Sequence, residues 1–354
     1  MTVSSHIPAS TRPVVMGTNG MVSTGSVLAS QAGAGVLADG GNAFDAAVAV
    51  CFVLGVVESY MTGPGGTGVA VYTLAGESRP RAIDFSGRVP KATDRSLLTN
   101  ENLDLGILAP LVPGNVAGWL ALHERHGSLG LGRLLQPAID YAENGFPITY
   151  QNSAVFAEHA GRILPYPDAA TLFLDRSGRA LAPGTRMRWP QLGTSMRLIA
   201  DQGRDAFYTG AIAEEIVRTS EEMGGILTAE DLATYEPEFQ DCLKIDYRGY
   251  QIYAPPLPSG GFQSLAHLKL MEQFAPGELA FSTADTVHAL IEAAKLSITD
   301  RIAYAGDPDV VDVPLDGLLS GAYADSQRQR ASAPPPSKRC VVARQRSKRV
   351  RRCA

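Results

Sequence analysis

The residues GGNAFDAAVAVCFVLGVVESYMTGPGGTGVAVYTL, numbered 40–74, carry the strongest local signals for the fold. Asn42 is a good N-cap, and the small and β-branched residues that follow it predict a helix over 43–57 that is buried on every side. Its longest apolar run, 46–57, is too short to cross a bilayer. The glycine-rich turn 62–68 then leads into a predicted strand at 69–74. This alternation predicts an α/β protein.

The flanking sequence continues the mixture of helices and strands. We predict short strands at 14–16 and 21–22, a helix capped by Ser26 and ending near Ala38, and a strand at 81–85 that pairs with 69–74. The pattern predicts further helices at 116–126, 131–144, 150–162, 191–203, 211–223, 261–273 and 282–305, and a hairpin at 243–253 that turns at Arg248-Gly249.

Composition separates a globular body from a basic tail. Of the 354 residues, 45% are hydrophobic and 19% charged, which excludes a disordered, collagen-like or coiled-coil protein. Residues 328–354 contain ten Arg or Lys and no acid, so the 21 bases and 36 acids before them leave a net charge of −15. A tail of this kind cannot bury a core. We therefore predict a folded region at 1–327 and a disordered tail at 328–354, whose abrupt change in composition suggests a frame shift or a split gene.

The cysteines and the N-terminus predict a cytoplasmic location. Cys51, Cys242, Cys340 and Cys353 show no CxxC or metal-binding spacing, which is typical of a reducing compartment rather than of a disulfide framework. The first 15 residues contain no apolar segment of the signal-peptide type. No membrane segment is expected.

Several motifs match known patterns without their structural context. Residues 63–68 fit GxGxxG, but the dinucleotide-binding motif needs a strand before it and a helix after it, the reverse of the order here. His123 and His126 are three residues apart, so they do not form HExxH, and both should point outward. Ser259 opens a helix and is interpreted as an N-cap, since no GxSxG elbow is present. No cofactor and no metal are expected.

Arg88, in the loop DFSGRVP at 84–90, is the candidate binding residue. It follows a predicted strand, and a guanidinium in such a loop could bind a carboxylate through two hydrogen bonds. A surface arginine paired with an acid explains the same position equally well. The basic tail is interpreted as a solvated extension, because no aromatic residue follows Tyr323 for base stacking, so binding to nucleic acid is not expected.

Several stretches of the sequence, taken together, closely resemble the large chain of gamma-glutamyltransferases. They occur in the same order as in that family, over residues 13–325. The matching motifs include GGNAFDAAVA (40–49), TGPGG (62–66), VPG (112–114), GWLALHERHG (118–127), GFP (145–147), AFYTG (206–210), GILT (225–228), YRGY (247–250) and GDPD (306–309).

The resemblance implies an N-terminal-nucleophile hydrolase with an αββα sandwich, here incomplete, in which two stacked sheets lie between helical layers. In this family a precursor cleaves itself, and the new N-terminal Thr of a small subunit attacks the γ-glutamyl amide with its own α-amino group as general base. The expected partners are therefore a γ-glutamyl donor such as glutathione and a Thr-led small subunit. The resemblance implies γ-glutamyltransferase or glutathione hydrolase activity.

The resemblance assigns Arg88 to the donor's α-carboxylate, although Ser86 stands where the commoner branch of the family has its arginine. No catalytic residue is expected within this chain, since its last threonine is Thr299 and the nucleophile must lie later. The isolated chain is accordingly expected to be inactive. The alternatives are a related amide acylase, of the cephalosporin acylase or oxamate amidohydrolase type, or a non-catalytic relic whose basic tail binds nucleic acid.

Overall fold

A computed structural model describes residues 14–275 and 277–331 of the chain. They divide into two compact units, one comprising the described residues up to Ala70 together with Ile83–Phe239, the other comprising Val71–Ala82 and the described residues from Gln240 onward.

Helices account for most of the regular structure. They are α1 (Val27–Ala38), α2 (Ala43–Val57), α3 (Asn115–His126), α4 (Leu131–Asn144), α5 (Tyr150–Glu158), α6 (Ala160–Ile163), α7 (Pro167–Phe173), α8 (Pro190–Gln202), α9 (Arg204–Tyr208), α10 (Ala211–Glu222), α11 (Ala229–Ala233), α12 (Gly261–Glu272), α13 (Ala284–Tyr304), α14 (Leu315–Leu318) and α15 (Gly321–Ala331). The strands are β1 (Gly68–Tyr72), β2 (Arg81–Phe85), β3 (Phe146–Pro147), β4 (Arg186–Met187), β5 (Glu238–Asp241), β6 (Leu243–Tyr247) and β7 (Tyr250–Ala254).

Helix α2 is the centre of the first unit, as its sequence predicts. The side chain of Asn42 accepts hydrogen bonds from the backbone N–H groups of Phe44 (2.8 Å) and Asp45 (3.1 Å), which satisfies two donors at the helix start. α1 and α4 pack against α2, and α8 packs against α4. Phe52 of α2 meets the ring of Trp119 edge-on, with 4.9 Å between the ring centroids. Most residues of α2 are buried as predicted, but Ala43 and Ala47 are exposed, so the helix is not buried on every side.

Asp45 is a fully buried carboxylate that ties the start of α2 to the chain after α3. It accepts hydrogen bonds from the backbone N–H groups of Asn42 (2.9 Å), Ser128 (2.9 Å) and Leu129 (3.2 Å), and from the Ser128 hydroxyl (2.6 Å). Burial alone raises the pKa of this carboxyl, but these hydrogen bonds outweigh burial and hold the pKa below its ordinary value of 3.8.

Asp45→Asn should lower the free energy of unfolding by about 2 kcal/mol near neutral pH, because an amide cannot accept all these bonds. A carboxyl with a lowered pKa stabilises the fold above its ordinary pKa and loses that effect as the pH falls through its value in the folded protein. The difference between Asp45→Asn and wild type should therefore shrink below about pH 3.8. Urea denaturation across pH measures it, with the exposed Glu124→Gln as control. A pH-independent difference would contradict the prediction.

Three sheets occur in the described residues. One has the strand order β1-β2-β5, and the other two are the pairs β3-β4 and β6-β7. The predicted pairing of β1 with β2 is confirmed, as is the hairpin β6-β7. Its turn residues Arg248 and Gly249 have φ values of 48° and 85°, the positive values that match a two-residue turn to the twist of its strands.

The second unit has its own core. α12 packs against α13, α15 and both strands of the β6-β7 hairpin. Its most deeply buried side chains include Phe262, Leu265 and Ala293. In the parts of the chain that the structure describes, no helix combines the length and the apolarity needed to cross a bilayer.

Some predicted elements differ from those observed. Residues 14–16 and 21–22 form no strand, and the exposed Val14 and Val15 lie in irregular chain, because a short apolar stretch becomes a strand only beside a partner edge. The predicted helix 150–162 is interrupted at His159, which ends α5 and begins α6. α15 continues to Ala331, past the predicted boundary at residue 327, so the first residues of the proposed tail are helical. Residues 332–354 lie outside the described residues, and the assignment of the tail stays a prediction.

Candidate functional site

The candidate site is the loop that follows β2. Asp84, near the end of this strand, is buried, and its carboxylate accepts a hydrogen bond from the backbone N–H of Ser86 at 2.8 Å. The hydroxyl of Tyr235 donates to the carbonyl oxygen of Ser86, also at 2.8 Å. Both contacts hold the chain at the point where it leaves the strand, so the loop has a defined direction.

The positions of Gly87 and Arg88 are fixed by close packing and by a backbone hydrogen bond. The carbonyl of Arg88 accepts a hydrogen bond from the N–H of Val112 at 2.8 Å, which joins the two segments in an isolated β-bridge. A Cβ on Gly87 would stand 2.6 Å from Cβ of Leu111 and 2.8 Å from Cγ2 of Thr67, so only glycine permits this approach. The position of the Arg88 backbone is therefore set from both sides.

The guanidinium of Arg88 contacts the carboxylate of Glu238 through Nη2 and Oε1. The two side chains are 37% and 39% exposed, so the pair is partly open to solvent. The sequence left two interpretations of Arg88, a ligand for a substrate carboxylate and a surface arginine paired with an acid. The contact with Glu238 corresponds to the second. The sequence did not point to Glu238, because it lies 150 residues from Arg88 and no local pattern connects the two.

Two buried tyrosines, Tyr208 and Tyr235, form hydrogen bonds to the loop and to the segment bridged to it. The rings of Tyr208 and Tyr235 are stacked, with 5.9 Å between centroids and 9° between planes. The Tyr208 hydroxyl donates to the carbonyl of Pro113 (2.8 Å) and accepts from the N–H of Ala117 (3.1 Å). Burial raises the pKa of both phenols, and for Tyr235 the neighbouring Tyr208 and Asp84 raise it further. Both therefore stay neutral at physiological pH and act as hydrogen-bonding supports rather than as bases.

The glycine-rich turn before β1 is held by the start of α3. Nδ2 of Asn115 donates to the carbonyl of Gly63 at 2.7 Å, and the carbonyl of Gly66 accepts from the N–H groups of Gly114 (2.9 Å) and Asn115 (3.0 Å). A Cβ on Gly66 would lie 2.6 Å from Nδ2 of Asn115. α2 precedes the turn and β1 follows it, so the order of elements is the predicted one, the reverse of that in a dinucleotide-binding motif.

The same turn borders a cavity of about 480 Å³ in the first unit. Its walls are mainly apolar, formed by the segment 59–66 and by side chains from α8, α9 and α10. The large apolar and aromatic side chains among them are Tyr60, Met61, Trp189, Leu192, Ile199, Phe207 and Ile212. A space of this size and character suits a small apolar group.

The other motif residues have local roles. Nε2 of His123 lies 2.7 Å from the carbonyl of Leu129, and the ring of His126 lies 4.5 Å from that of Phe44, so both histidines are half-buried rather than pointing outward as predicted. His123 is drawn inward because the chain after α3 folds back over it, and His126 because its ring packs against Phe44 of α2. The N-cap of α12 is Gly260 rather than Ser259 as predicted; the Ser259 hydroxyl lies one residue earlier and accepts a hydrogen bond from the N–H of Gly261 at 3.2 Å. Within residues 14–275 and 277–331, no group of three or more His, Cys, Asp or Glu side chains could hold a metal.

Comparisons with known proteins agree on one family. The model of the family described as Gamma-glutamyltranspeptidase matches residues 29–345. Acylase ACY 1 proenzyme of Pseudomonas sp. (strain SE83) is 38% identical over 327 residues, which cover 88% of this chain and 58% of the relative. Glutathione hydrolase-like YwrD proenzyme of Bacillus subtilis (strain 168) is 36% identical over 316 residues, with coverages of 88% and 59%.

A solved structure supports the same assignment. The crystal structure of Helicobacter pylori gamma-glutamyltranspeptidase superposes with a TM-score of 0.86 at 32% identity, over 92% of this chain and 95% of that one. The chain spans just under three fifths of the length of the two curated relatives it matches. The extent of the family match and the identity to these relatives establish that the chain belongs to the gamma-glutamyltranspeptidase family.

Proposed function

We propose that this chain is the donor-binding part of an enzyme that cleaves or transfers γ-glutamyl amides, such as glutathione, through an acyl-enzyme. Membership of the family supports the reaction class. The observation that carries the donor assignment is Arg88, whose backbone is fixed by the bridge to Val112 while its guanidinium is partly exposed. A guanidinium held in this way can bind a carboxylate through two parallel, charge-assisted hydrogen bonds.

In the proposed reaction, a second, Thr-led chain supplies the nucleophile. The Thr hydroxyl attacks the amide carbonyl, its own α-amino group takes the proton, and the amine of the donor leaves with a proton to give the acyl-enzyme. Water or an acceptor amine then releases the γ-glutamyl group. Arg88 binds the donor's α-carboxylate and so places its amide carbonyl against that hydroxyl. The rigid loop 84–90 orients the donor. Holding the reacting groups in the right geometry lowers the barrier to the chemical step.

A related amide acylase is the second candidate. Acylase ACY 1 is among the relatives, and the apolar cavity bordered by the glycine-rich turn would suit an uncharged acyl or amine group better than an amino acid. A cytoplasmic location, and the lack of a role in nucleic-acid binding, stay predictions.

An assay with three donors tests both candidates. The chain is purified alone and together with the Thr-led second chain of a relative, and each sample is offered γ-glutamyl-, glutaryl- and butyryl-p-nitroanilide. We expect no turnover by residues 1–354 alone, because the proposed nucleophile is the N-terminal Thr of the second chain. With the second chain we expect turnover of the γ-glutamyl donor in preference to the other two. A preference for butyryl would favour the acylase, and turnover by the repurified chain alone would contradict the assigned source of the nucleophile.

A further inference from the structure

The carboxylate of Glu238 contacts Arg88, the residue at which the proposed function places the α-carboxylate of the donor. Glu238 is the first residue of β5, the strand beside β2, and Arg88 lies three residues after the end of β2. The two strands are neighbours in one sheet, and the side chains of Arg88 and Glu238 meet although 150 residues separate them along the chain.

The pair is suited to exchange one carboxylate for another. The guanidinium and the carboxylate are in direct contact, and more than a third of each side chain is exposed. Exposed ion pairs of this kind contribute little to stability, so an incoming anion can displace the resident carboxylate at small cost. Once displaced, the charge of Glu238 stays close to the incoming anion and repels it.

We propose that Glu238 is a specificity-determining residue, whose carboxylate competes with the α-carboxylate of a donor for Arg88. The competition weakens the binding of donors that carry this carboxylate, relative to donors with a neutral acyl group. The proposal rests on the proposed function to the extent that Arg88 faces the acyl end of the donor. The feature of the substrate that Glu238 disfavours is the α-carboxylate.

Glu238→Gln is the decisive variant, because glutamine keeps the length and an acceptor oxygen for Arg88 while removing the charge. Glu236→Gln is its matched control. Glu236 lies two residues away, is also exposed and also pairs with an arginine, Arg204, so this substitution changes the net charge of the chain equally. The double variant Arg88→Ala, Glu238→Gln tests whether the effect passes through Arg88.

Binding to the full chain is measured by ligand-observed NMR, which requires no turnover. The probes are N-methylglutaramate, which carries a carboxylate, N-methylbutyramide, which has the same chain without it, and γ-glutamylmethylamide, which adds the ammonium group. We expect Glu238→Gln to bind N-methylglutaramate about three- to tenfold more tightly and N-methylbutyramide within twofold of wild type. Glu236→Gln should resemble wild type, and the double variant should show no gain.

Several results would overturn the proposal. They are an unchanged or weaker affinity of Glu238→Gln for N-methylglutaramate, an equal gain for both probes, or a gain that persists without Arg88. Weaker binding of γ-glutamylmethylamide alone would instead make Glu238 a partner for the ammonium group. These binding measurements are independent of the turnover assay. Failure of the turnover assay would contradict the proposed reaction, but it would leave the proposed preference at Arg88 to be judged by binding.

Discussion

Gly114→Ala should destabilise the protein by about 3 kcal/mol, the largest effect that we expect from adding one methyl group. A Cβ at this position would overlap the carbonyl oxygen of Phe85 and stand 2.5 Å from the hydroxyl of Tyr235. The first of these is backbone at the end of β2, which cannot move without disturbing the strand, so the overlap leads to strain rather than to a change of rotamer. The loop that carries Arg88 begins at the same point.

Gly132→Ala is the matched control. Gly132 lies in the first turn of α4, is exposed, and a Cβ there would meet no atom within 4 Å. Alanine is a better helix former than glycine, so this variant should be stabilised by up to about 1 kcal/mol. Urea denaturation followed by circular dichroism measures both. A loss below about 1 kcal/mol for Gly114→Ala would show that the end of β2 can yield.

Arg88→Ala should reduce kcat/KM for γ-glutamyl-p-nitroanilide by roughly tenfold to a hundredfold in the complex with a Thr-led second chain. The estimate follows from losing hydrogen bonds between charged groups, worth ~1.5–3 kcal/mol. If these bonds are equally strong in the ground and transition states, the loss falls on KM and leaves kcat little changed. Arg88→Lys should recover only part of the activity, because an ammonium group cannot form the two parallel bonds.

The comparison with butyryl-p-nitroanilide gives this experiment its specificity. That donor has no α-carboxylate, so Arg88→Ala should change its kcat/KM by less than about twofold if the residue binds the carboxylate alone. Arg176→Ala, at an exposed arginine in the turn after α7, removes the same charge and should leave both donors unaffected. Equal losses for the two donors, or none for either, would mean that Arg88 is not the carboxylate ligand.

Local signals predicted many of the elements well. The cap at Asn42, the glycines beyond α4 and α8, and the Arg248-Gly249 turn each act within a few residues, and the observed helices and hairpin end within two residues of the predicted bounds at these places. Elements that depend on distant partners were missed. β3 and β4 have two residues each and pair only because Phe146 meets Met187, which no local pattern indicates.

For the candidate site, the sequence by itself determined the residue types and the loop. It placed Arg88 just beyond a strand, and the resemblance to the family supplied a role. Only the tertiary structure decided what surrounds it. Glu238 and Tyr235 reach this loop from about 150 residues away, through the pairing of β5 with β2 and the stacking of two buried tyrosines. The negative charge beside Arg88 depends on strand order and long-range packing, which contacts within a few residues along the chain do not encode.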